Sequence, residues 1–552
     1  MKKIIIFLLV LVFVLLPLTV KADVRVNERS SPIYQPKIAT NHNNQVVITW
    51  TLGIDSSYVM VQRFDSLGQR INANMVAYSQ PDSQVTTSSV VMNSAGGFII
   101  NWNIGPPSWS MADNYVSFFD SSGTAIDTIK VNDTQTGFHY WSDMAIDSSG
   151  KSVCVWAEAQ NSSDPRQLKG QLFNKQFQKI GGNFLISDTA YYIYMSVGMD
   201  GQGRFSVAYN PGHNLTSVCV KVFDNNGQLD TFFVADSSLK GRNPDLAMNY
   251  QGQYVVVWRD DITANIWAQI FDKDNKRIGS NFLVSSVSEY INTQPRVAIN
   301  EKGNFVVIWQ DIVNSDSVVY AQRYLVDGTK ISGKYRVNDT IQARAEHQGG
   351  DLDVVATNEM IYFTWLGSNR TNVYAKRDEW FKRGDVNNDG DIKVGDVIFL
   401  INYLFKGGPI PYPFYESGNV NGQDNVNITD VVYLIKYLFK GGQPPFQVPD
   451  FSPLITHKLG LGNQGSDVYA RKVPWYYPLP HGDVSADSIV DISDIVFNIN
   501  YVFYDGPEPS PFYEIGEIDG DGVIDITDIV WLINYVFYGG EPPPAVPDFS
   551  SS

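Results

Sequence analysis

The chain has few of the residues on which many enzyme classes depend. Its 552 residues include six histidines and two cysteines. Neither the Gly-x-Ser-x-Gly motif of serine hydrolases nor the His-Glu-x-x-His motif of zinc proteases occurs. The two cysteines, Cys154 and Cys219, cannot supply a disulfide framework. They either form one bridge in an oxidising compartment or remain two buried thiols on strands, and the sequence leaves both alternatives open.

Positive charge and long apolar segments are also scarce. The formal net charge is −17, which argues against nucleic acid as a partner. The one extended apolar stretch, Ile4 to Leu16, follows Lys2-Lys3 and precedes Val20-Lys21-Ala22, which predicts a signal peptide over residues 1–22 and a secreted protein. The alternative is a retained N-terminal anchor, for which the stretch is short. No later segment approaches the ~18 apolar residues of a membrane span, so we expect no transmembrane segment after cleavage.

What the chain does have is a repeat. Residues 24–380 recur with a period of about 52 residues, and each copy ends a β-rich run with an aromatic residue. These seven anchors are Trp50, Trp102, Trp156, Tyr209, Trp258, Trp309 and Trp365. Six residues before each anchor stands a turn residue, and the seven are Asn44, Gly96, Gly150, Gly203, Gly252, Gly303 and Glu359. Glycine at the five internal copies is typical of a tight hairpin.

Four short strands per copy predict an all-β, seven-bladed β-propeller over residues 24–380. The seventh copy stops after Val373–Arg377 without a fourth strand, whereas Val24–Asn27 looks like the closing segment Tyr335–Asn338 of the sixth copy. We therefore expect the N-terminal strand to complete the last blade and remove its open edge. The alternative, a series of sandwich modules, needs ~100 residues per module.

In this topology, the loops after the anchor strands and the links between blades share one face. Its polar and aromatic residues are Glu158, Asp260, Asp261, Asp311, His213, Trp109 and Arg370. The hypothesis is a face that binds polysaccharide or protein, and the alternative is an ordinary polar rim. A glycosidase would need two carboxylates about 5–9.5 Å apart, for which Glu158 with Asp260 or Asp311 are candidates.

The last third of the chain contains four acidic loops, each followed by an amphipathic helix. In the first loop, positions 1, 3, 5, 7 and 12 are Asp385, Asn387, Asp389, Asp391 and Asp396. Oxygen-bearing side chains at this spacing wrap around one calcium ion, and Gly390 at position 6 permits the sharp turn. The predicted helix carries apolar residues at intervals of three and four, from Val397 to Phe405, and Gly407-Gly408 ends it.

The other three loops differ in their number of carboxylates. The second contains Asn419, Asn421, Gln423 and Asp430, with Asp424 at the glycine position. The third contains Asp483, Ser485, Asp487 and Asp494, with Ser488 at the glycine position. The fourth contains Glu517, Asp519, Asp521 and Asp528, with Gly522 at the glycine position. The alternative for each is an acidic surface loop in front of a core helix, and this alternative is strongest for the second loop.

This pattern resembles the type I dockerin. Position 12 is aspartate in every copy, each loop is followed by one helix, the loops occur in pairs, and Lys382-Arg383-Gly384 leaves no room for the entering helix of an ordinary EF-hand. The resemblance covers residues 384–445 and again 481–545, which we predict to be two small α-helical dockerin-like domains joined by a linker over 446–480. It implies calcium binding and docking onto a cohesin-type partner.

In the dockerin family, residues near loop positions 10 and 11 and along the helix touch the cohesin. Here these pairs are Val394-Gly395, Ile428-Thr429, Ile492-Ser493 and Ile526-Thr527. An aliphatic residue replaces the familiar polar one at position 10, so the identity of the partner stays open. The leading hypothesis is a secreted, calcium-binding docking protein whose propeller presents a binding face. The alternatives are a structural cell-surface protein and a dockerin-bearing glycoside hydrolase of polysaccharide catabolism, although the repeat lacks the Asp-box of sialidases.

Overall fold

The computed structural model places most of the residues between 24 and 543. It describes residues 24–28, 33–53, 56–81, 84–105, 113–134, 137–161, 164–190, 194–211, 217–224, 227–234, 240–286, 294–313, 316–338, 343, 351–368, 370–423, 425–447, 482, 484, 490, 492–504, 516, 518, 523–538 and 541–543. The predicted signal peptide, the predicted linker beyond residue 447, and Trp109 and His213 lie outside these residues. The described residues form two compact units, one built from strands and one from helices.

The first unit is an all-β structure of seven four-stranded antiparallel sheets. Its strands within the described residues are β1 (Val24–Arg25), β2 (Ile33–Thr40), β3 (Val46–Leu52), β4 (Ser56–Phe64), β5 (Arg70–Pro81), β6 (Gln84–Met92), β7 (Phe98–Gly105), β8 (Asp113–Phe119), β9 (Ala125–Lys130), β10 (Phe138–Ile146), β11 (Ser152–Ala159), β12 (Arg166–Phe173), β13 (Lys179–Ala190), β14 (Met195–Met199), β15 (Phe205–Tyr209), β16 (Cys219–Asp224), β17 (Gly227–Phe233), β18 (Gly241–Met248), β19 (Tyr254–Asp260), β20 (Ile266–Phe271), β21 (Arg277–Ser285), β22 (Arg296–Ile299), β23 (Phe305–Val313), β24 (Asp316–Tyr324), β25 (Lys330–Arg336), β26 (Leu352–Ala356), β27 (Met360–Leu366) and β28 (Val373–Glu379).

Six blades use four consecutive strands, from β2–β5 through to β22–β25. The seventh has the order β1-β28-β27-β26, so the N-terminal strand supplies its missing outer member. The predicted seven-bladed propeller and its closure are both confirmed. Val24 lies opposite Ala375 and Arg25 opposite Tyr374 in the antiparallel register.

The second strand of each blade is the most deeply buried, because it packs against neighbouring blades on both faces. All eight residues of β11 and all seven of β19 and β27 are buried, which explains their continuous apolar sequences. The seven predicted anchor aromatics are each 2% exposed or less. Apolar clusters join adjacent blades, as where Val255 and Val257 of the fifth blade pack with Phe305 and Trp309 of the sixth. The blades therefore share their cores.

The turns between the first and second strands follow one design. The five predicted turn glycines have φ values between 83° and 93°, which only glycine adopts without strain. An Asx residue three positions before each of these glycines, or before Asn44, accepts a hydrogen bond of 2.9–3.1 Å from the backbone N–H four residues later. The six Asx residues are Asn41, Asn93, Asp147, Asp200, Asn249 and Asn300. Glu359 departs from this pattern, since the seventh turn is closed by Thr357 N–H donating to the Met360 carbonyl at 2.8 Å.

A polar latch recurs between blades. The Asn74 amide donates to Gln62 Oε1 at 2.7 Å and to the Val26 carbonyl at 3.3 Å. Asn183 donates in the same way to Gln171 and Val131, and Asn281 to Gln269 and Val234. Val26 therefore occupies the place that Val131 and Val234 hold in continuous blades, which shows that the N-terminal segment is an integral closing strand.

Cys154 and Cys219 are both free thiols and both buried. Of the two alternatives left open by the sequence, the structure therefore shows the unpaired one. Burial raises the pKa of both thiols, which keeps them protonated and unreactive.

The second unit holds four helices in its described residues: α1 (Val394–Phe405), α2 (Ile428–Phe439), α3 (Ile492–Tyr504) and α4 (Ile526–Tyr538). A short 3₁₀ helix covers Tyr415–Gly418. The apolar faces of all four α-helices belong to one buried cluster that includes Leu400, Leu434, Ile499 and Leu532. As predicted, no helix precedes the first loop in the described residues 370–393.

The two loops of the first pair are related by repeated backbone contacts. Tyr412 N–H, beyond α1, donates to the Val386 carbonyl of the first loop at 3.0 Å, and Phe446 N–H, beyond α2, donates to the Val420 carbonyl of the second at 2.8 Å. Each loop is thus held by the chain that leaves its own helix. The Pro-rich exits from the helices have a structural role here rather than that of simple spacers.

Candidate calcium loops, propeller face and channel

The first loop is folded around its own polar side chains. Asp385 Oδ2 accepts a hydrogen bond from Gly390 N–H at 3.1 Å, Asn387 Oδ1 from Asp389 N–H at 3.0 Å, and Asp389 Oδ1 from Asp391 N–H at 3.0 Å. The Asp391 side chain is exposed and pairs with Lys393 at 2.8 Å, an interaction that lowers its pKa. Four of the five predicted first-loop ligands, at positions 1, 3, 5 and 12, therefore accept hydrogen bonds from the backbone of the loop, whereas the Asp391 carboxylate pairs with Lys393.

Position 12 has a recurring structural role. Asp396, wholly buried, accepts hydrogen bonds from Val386 N–H at 2.9 Å and Lys393 N–H at 2.8 Å, which are loop positions 2 and 9. Asp430 makes the same two bonds to Val420 and Asn427, and Asp528 to Ile518 and Asp525. We call this arrangement the carboxylate bridge. It joins the start of each loop to the N-terminus of its helix, where a negative charge is favoured.

Burial leaves the first loop electrostatically unsatisfied. Burial raises the pKa of Asp396 to about 6, and the nearby Asp385 carboxylate adds to the effect. Burial also raises the pKa of Asp385, 3% exposed, and no described residue donates a hydrogen bond to its Oδ1. A divalent cation would supply the missing positive charge to this oxygen set, so the first loop fits calcium. Among the residues that the structure describes, no group of three or more His, Cys, Asp or Glu side chains is arranged to hold a metal ion. In the first loop, the carboxylates of Asp385 and Asp396 instead accept hydrogen bonds from backbone N–H groups.

In the second loop, side-chain amides form hydrogen bonds to other groups of the same loop. Asn419 Nδ2 donates to the Gln423 carbonyl, and Asn421 Nδ2 donates to Thr429 Oγ1 at 2.7 Å. Asp430 is the one carboxylate among the predicted ligands of this loop, and burial raises its pKa. Asp424, at the glycine position, lies outside the described residues. The fit to a divalent cation is weaker here than in the first loop.

The third and fourth loops are described only at a few positions. Asp483, Ser485, Asp487, Glu517, Asp519 and Asp521 lie outside the described residues. Asp494 and Asp528, both at position 12, are fully buried, as are their counterparts in the first pair. Gly482 also repeats the setting of Gly384, since a Cβ would lie 3.0 Å from Leu532 Cδ2 in one case and from Leu434 Cδ2 in the other.

Two features of the first pair were not recognised in the sequence. Position 4 is left-handed in both loops, with φ of 61° at Asn388 and 72° at Gly422, and both residue types tolerate this conformation. Arg383 pairs with Glu379 at 2.7 Å and donates to the Asn419 carbonyl at 2.7 Å, so it ties the approach to the first loop to the start of the second. Asparagine and glycine at position 4 are residue types that indicate a left-handed conformation, whereas nothing in the sequence pattern indicated the role of Arg383.

Comparison with known families agrees with this geometry. Residues 383–439 match the model of the dockerin type I domain. These residues form a dockerin domain. Such a domain implies calcium binding and docking onto a cohesin partner. The matched region includes both loops of the first pair with α1 and α2, and it stops short of α3 and α4.

Comparison with solved structures finds other proteins at low identity. BP39L lectin from Burkholderia pseudomallei has a TM-score of 0.45 and 10% identity, over 64% of this chain and 97% of the lectin chain. A protein of unknown function from Dyadobacter fermentans has a TM-score of 0.40 and 11% identity, over 55% and 97%. The β-propeller domain of the Trilobed protease from Pyrococcus furiosus has a TM-score of 0.35 and 8% identity, over 65% and 98%. These likenesses carry no argument about function.

No curated protein matches the chain. Within the part of the chain that the structure describes, no helix has the length and apolar character needed to cross a membrane.

The predicted propeller face contains a buried polar network centred on Glu158. Its Oε1 pairs with Lys169 at 2.8 Å, and its Oε2 accepts from Thr134 and Trp156, each at 3.2 Å, and lies 3.4 Å from His139 Nε2. Burial alone would raise the pKa of Glu158, but hydrogen bonds from His139, Lys169 and Trp156 outweigh it and lower the pKa to about 2. Glu158 is therefore a fixed carboxylate and not a proton donor near neutral pH.

The other carboxylates of this face also have local partners. Asp260 accepts from Lys240 N–H at 3.1 Å and from the Thr263 hydroxyl at 2.5 Å, which orders its loop. Asp261 pairs with Arg242 at 2.9 Å. Asp311 accepts from Ile312 N–H at 2.9 Å. Glu158, Asp260 and Asp311 lie on β11, β19 and β23 of three different blades.

Arg370 contributes its backbone to this region. Its carbonyl accepts a hydrogen bond from Ile33 N–H at 2.7 Å, and its φ is 55°. This bond joins the seventh blade to the first beside the closing strand. The role visible for Arg370 is therefore structural.

The inner strands carry a ring of polar residues that sequence reasoning did not detect. One residue in each blade lies opposite the position before the anchor aromatic in the antiparallel register. We call these seven residues the channel ring: Lys37, Ser89, Asp143, Ser196, Asp245, Arg296 and Asp353. Only the pairing register between strands reveals the channel ring, because the residue type at this position is not the same in all blades.

Carboxylates of the channel ring bind the next blade. Asp143 accepts from Val197 N–H at 3.0 Å, Asp245 from Val297 N–H at 2.8 Å, and Asp353 from Ile38 N–H at 3.1 Å. These N–H groups lie on the inner edges of the sheets, where no further strand pairs with them. These three carboxylates therefore link the third blade to the fourth, the fifth to the sixth, and the seventh to the first.

A cavity of about 250 Å³ lies next to the ring, inside the channel. Residues of all seven inner strands line it, with apolar walls that include Val90, Met199 and Leu246. At the turn end of the strands, His42, Tyr250 and Glu301 also line it. This is a recess for a small molecule rather than for a polymer.

Proposed function

We propose that the protein is a secreted or cell-surface docking protein. Its dockerin domain binds calcium and attaches the chain to a cohesin-type partner, and its propeller presents a separate binding face for polysaccharide or protein. The observation that carries the proposal is the dockerin match at 383–439, and the first loop supports it, because burial raises the pKa of both Asp385 and Asp396.

Calcium has a physical reason to control docking. The first loop contributes Asp385, Asn387, Asp389 and Asp396, and the carboxylate bridge of Asp396 sets the start of α1. An ion that neutralises these charges stabilises both the loop and the helix that follows it. We extend the same proposal to the second pair of loops, residues 481–545. The protein would then have four calcium loops in two dockerin-like domains.

The docking surface includes loop positions 10 and 11. Val394 and Gly395 begin α1, Ile428 and Thr429 begin α2, and all four are partly exposed. Aliphatic side chains at position 10 favour a partner that offers an apolar contact there, since an apolar surface excludes unpaired polar groups. The partner is therefore expected to differ in this contact from one that recognises a polar residue.

The glycoside hydrolase hypothesis gains no support from the face residues. A general acid needs a pKa near the working pH, whereas the surroundings of Glu158 lower its pKa to about 2. Asp260 and Asp311 lie in other blades, each with its own partners. We therefore rank docking above structural and enzymatic roles.

The test uses the full chain, immobilised, with cohesin domains in solution, in calcium and in excess chelator. Calcium-dependent binding is expected, and Val394→Asp together with Ile428→Asp should weaken it by at least about tenfold. Leu67→Asp is the matched control, because Leu67 is a 68% exposed aliphatic residue of the propeller. Binding that ignores chelator, or that survives the paired substitution, would refute calcium-controlled docking at this surface.

A further inference from the structure

The cavity in the propeller channel has aliphatic walls. In six of the seven blades, the residue directly after the channel-ring position lines the cavity, and these six residues are Ile38, Val90, Val197, Leu246, Val297 and Val354. The residues of the channel ring itself do not line it. Lys37 interacts electrostatically with Arg296 and with the three carboxylates of the ring, so the charged ring residues compensate one another beside the cavity. A ligand of this cavity must therefore present an apolar body to its walls.

Three polar residues of three different blades border the cavity at the turn end of the strands. His42 lies in the first blade, Tyr250 in the fifth and Glu301 in the sixth. The His42 and Tyr250 rings meet edge to face, with their centroids 5.0 Å apart. Since the first and fifth blades are not neighbours in the ring, this contact crosses the end of the channel. The three residues therefore surround an opening that lies opposite the predicted propeller face.

The position of Tyr250 is fixed by both neighbouring blades. Its backbone N–H donates to the two carboxylate oxygens of Glu301 at 3.1 and 3.3 Å, and its carbonyl accepts from Gly201 N–H at 2.9 Å. The Tyr250 ring and the Glu301 carboxylate are thereby held side by side. An aromatic ring next to a carboxylate is a favourable setting for a cation, which the ring face and the negative charge both attract.

The charge of the lining residues also favours a cation. They include one carboxylate, that of Glu301, and neither lysine nor arginine. Burial raises the pKa of Glu301, and the Tyr250 N–H and the nearby His42 counteract this only in part. A carboxylate has about four lone-pair positions, so the shared N–H of Tyr250 leaves room for a further donor. A cationic donor would stabilise the ionised form of Glu301, whereas an anionic ligand would be repelled.

The volume of the cavity limits the size of the ligand. It is about 250 Å³. An apolar cavity of about 150 Å³ is sufficient for benzene, so this cavity has space for an aliphatic group of about six carbons and one polar group. A polymer or a large ring system does not fit.

We propose that the propeller channel binds a small primary amine with an aliphatic body. The ammonium group donates to Glu301 beside the Tyr250 ring, and the aliphatic body lies against the walls of the cavity. This site is distinct from the predicted propeller face and from the dockerin domain, and the proposal does not rest on docking.

Four probes added to the full chain in isothermal titration separate the ligand classes. Hexylamine is expected to bind. Hexan-1-ol keeps the aliphatic body without the charge, hexanoate reverses the charge, and methylamine keeps the charge without the body. Each of these three is expected to bind at least about tenfold more weakly than hexylamine, because each lacks one of the recognised features.

Variants test the charge and the cavity separately. Glu301→Gln should weaken hexylamine binding by about tenfold or more and leave hexan-1-ol binding within about twofold, because the amide keeps the shape of the side chain and removes its charge. Ala356→Leu should weaken the binding of both compounds, since Ala356 lines the cavity. Glu359→Gln is the matched control, because Glu359 is an exposed turn residue of the seventh blade that does not line the cavity. Thermal melting confirms that each variant is folded.

Three results would overturn the proposal. The first is no heat from hexylamine at millimolar concentration. The second is binding of hexan-1-ol, hexanoate or methylamine as tight as that of hexylamine, which would mean that the channel does not recognise an aliphatic amine. The third is hexylamine binding that persists unchanged in folded Glu301→Gln.

Discussion

Val26 and Val373 join the two ends of the propeller. Val26 N–H donates to the Val373 carbonyl at 2.8 Å, and Val373 N–H donates to the Asn27 side chain at 2.8 Å. The same pattern holds Val337 to Val319 and Val319 to Asn338 inside the continuous sixth blade. The seventh blade is therefore closed by the bonds that build an uninterrupted one.

Removal of residues 24–27 should lower the stability of the propeller by several kcal/mol. The deletion exposes the edge of β28 and removes Val26, which is fully buried. Asn27→Ala is the milder test and should cost about 1–3 kcal/mol, because Val373 N–H then loses its acceptor. Thermal melting provides the measurement, with exposed Asn43→Ala as control. An unchanged melting temperature after the deletion would show that this strand does not close the ring.

Glu158→Gln should make the propeller less stable at neutral pH but not in acid. Hydrogen bonds from His139, Lys169 and Trp156 lower the pKa of Glu158 to about 2, from an ordinary value of 4.5. The carboxylate therefore contributes stability that is fully present above about pH 4.5 and is lost as the pH falls toward 2. We expect a difference of about 3 kcal/mol at pH 7, shrinking below about pH 4.

Urea unfolding midpoints across this pH range check the prediction. Asp127→Asn, at an exposed carboxylate of β9, is the control and should show no such trend. A penalty for Glu158→Gln that is equal at both ends of the range would mean that packing, not charge, makes Glu158 stabilising.

The calcium loops should differ in affinity. The first and fourth loops should bind tightest, the third next, and the second last or not at all, because carboxylate number and a relaxed turn decide the affinity. The amide contacts of Asn419 and Asn421 already satisfy much of the second loop. Isothermal titration of the full chain, with Asp385→Ala and Asp519→Ala to remove the strong sites singly, provides the order. Four equal sites would contradict it.

Chelation should unfold the helices and leave the strands intact. The helical unit has a small core, so bound calcium should contribute much of its folding free energy. We expect the helical circular dichroism signal to fall in excess chelator while the thermal transition of the propeller stays in place. A helical signal that does not respond to chelator would break the link between calcium and folding.

Gly384→Ala should destabilise the dockerin domain more than Gly407→Ala. Both glycines have positive φ, of 91° and 64°, so both substitutions introduce backbone strain of about 1 kcal/mol. A Cβ on Gly384 also lies 3.0 Å from Leu434 Cδ2, whereas a Cβ on Gly407 meets nothing within 4 Å. The additional cost at Gly384 should be about 1–2 kcal/mol, read from the helical transition in urea with calcium in excess. Equal effects would show that Leu434 moves aside freely.

The sequence predicted those parts of the structure that repeat along the chain. The seven aromatic anchors, the turn glycines and the displaced strand at Val24–Asn27 repeat as residue types, so they revealed the blades and their closure. The loop spacing that ends at Asp396 and Asp430 similarly revealed the dockerin domain. These features are local or periodic, and such patterns are readable without coordinates.

Features that depend on the register between strands were not readable. Lys37 and Asp353 belong to one ring, yet they are different residue types more than three hundred positions apart. Glu158 looked like a candidate acid, whereas Lys169 and His139, brought to it by the fold, make it a permanent anion. Charge environment is a property of the assembled blades, so the sequence indicated where polar residues lie and not what they do.

Ring closure by β1 also has a consequence for the order in which the chain is made. Asn27 and Val373, which bond to each other, are separated by 346 positions, so the first strand to leave the ribosome waits for one of the last. Until then the nascent propeller keeps an unpaired edge, which is a hazard for association with other chains. The dockerin domain follows within a few residues of β28. The ring can therefore close only as the docking module itself is being synthesised, and propeller assembly is a late event in the biogenesis of this protein.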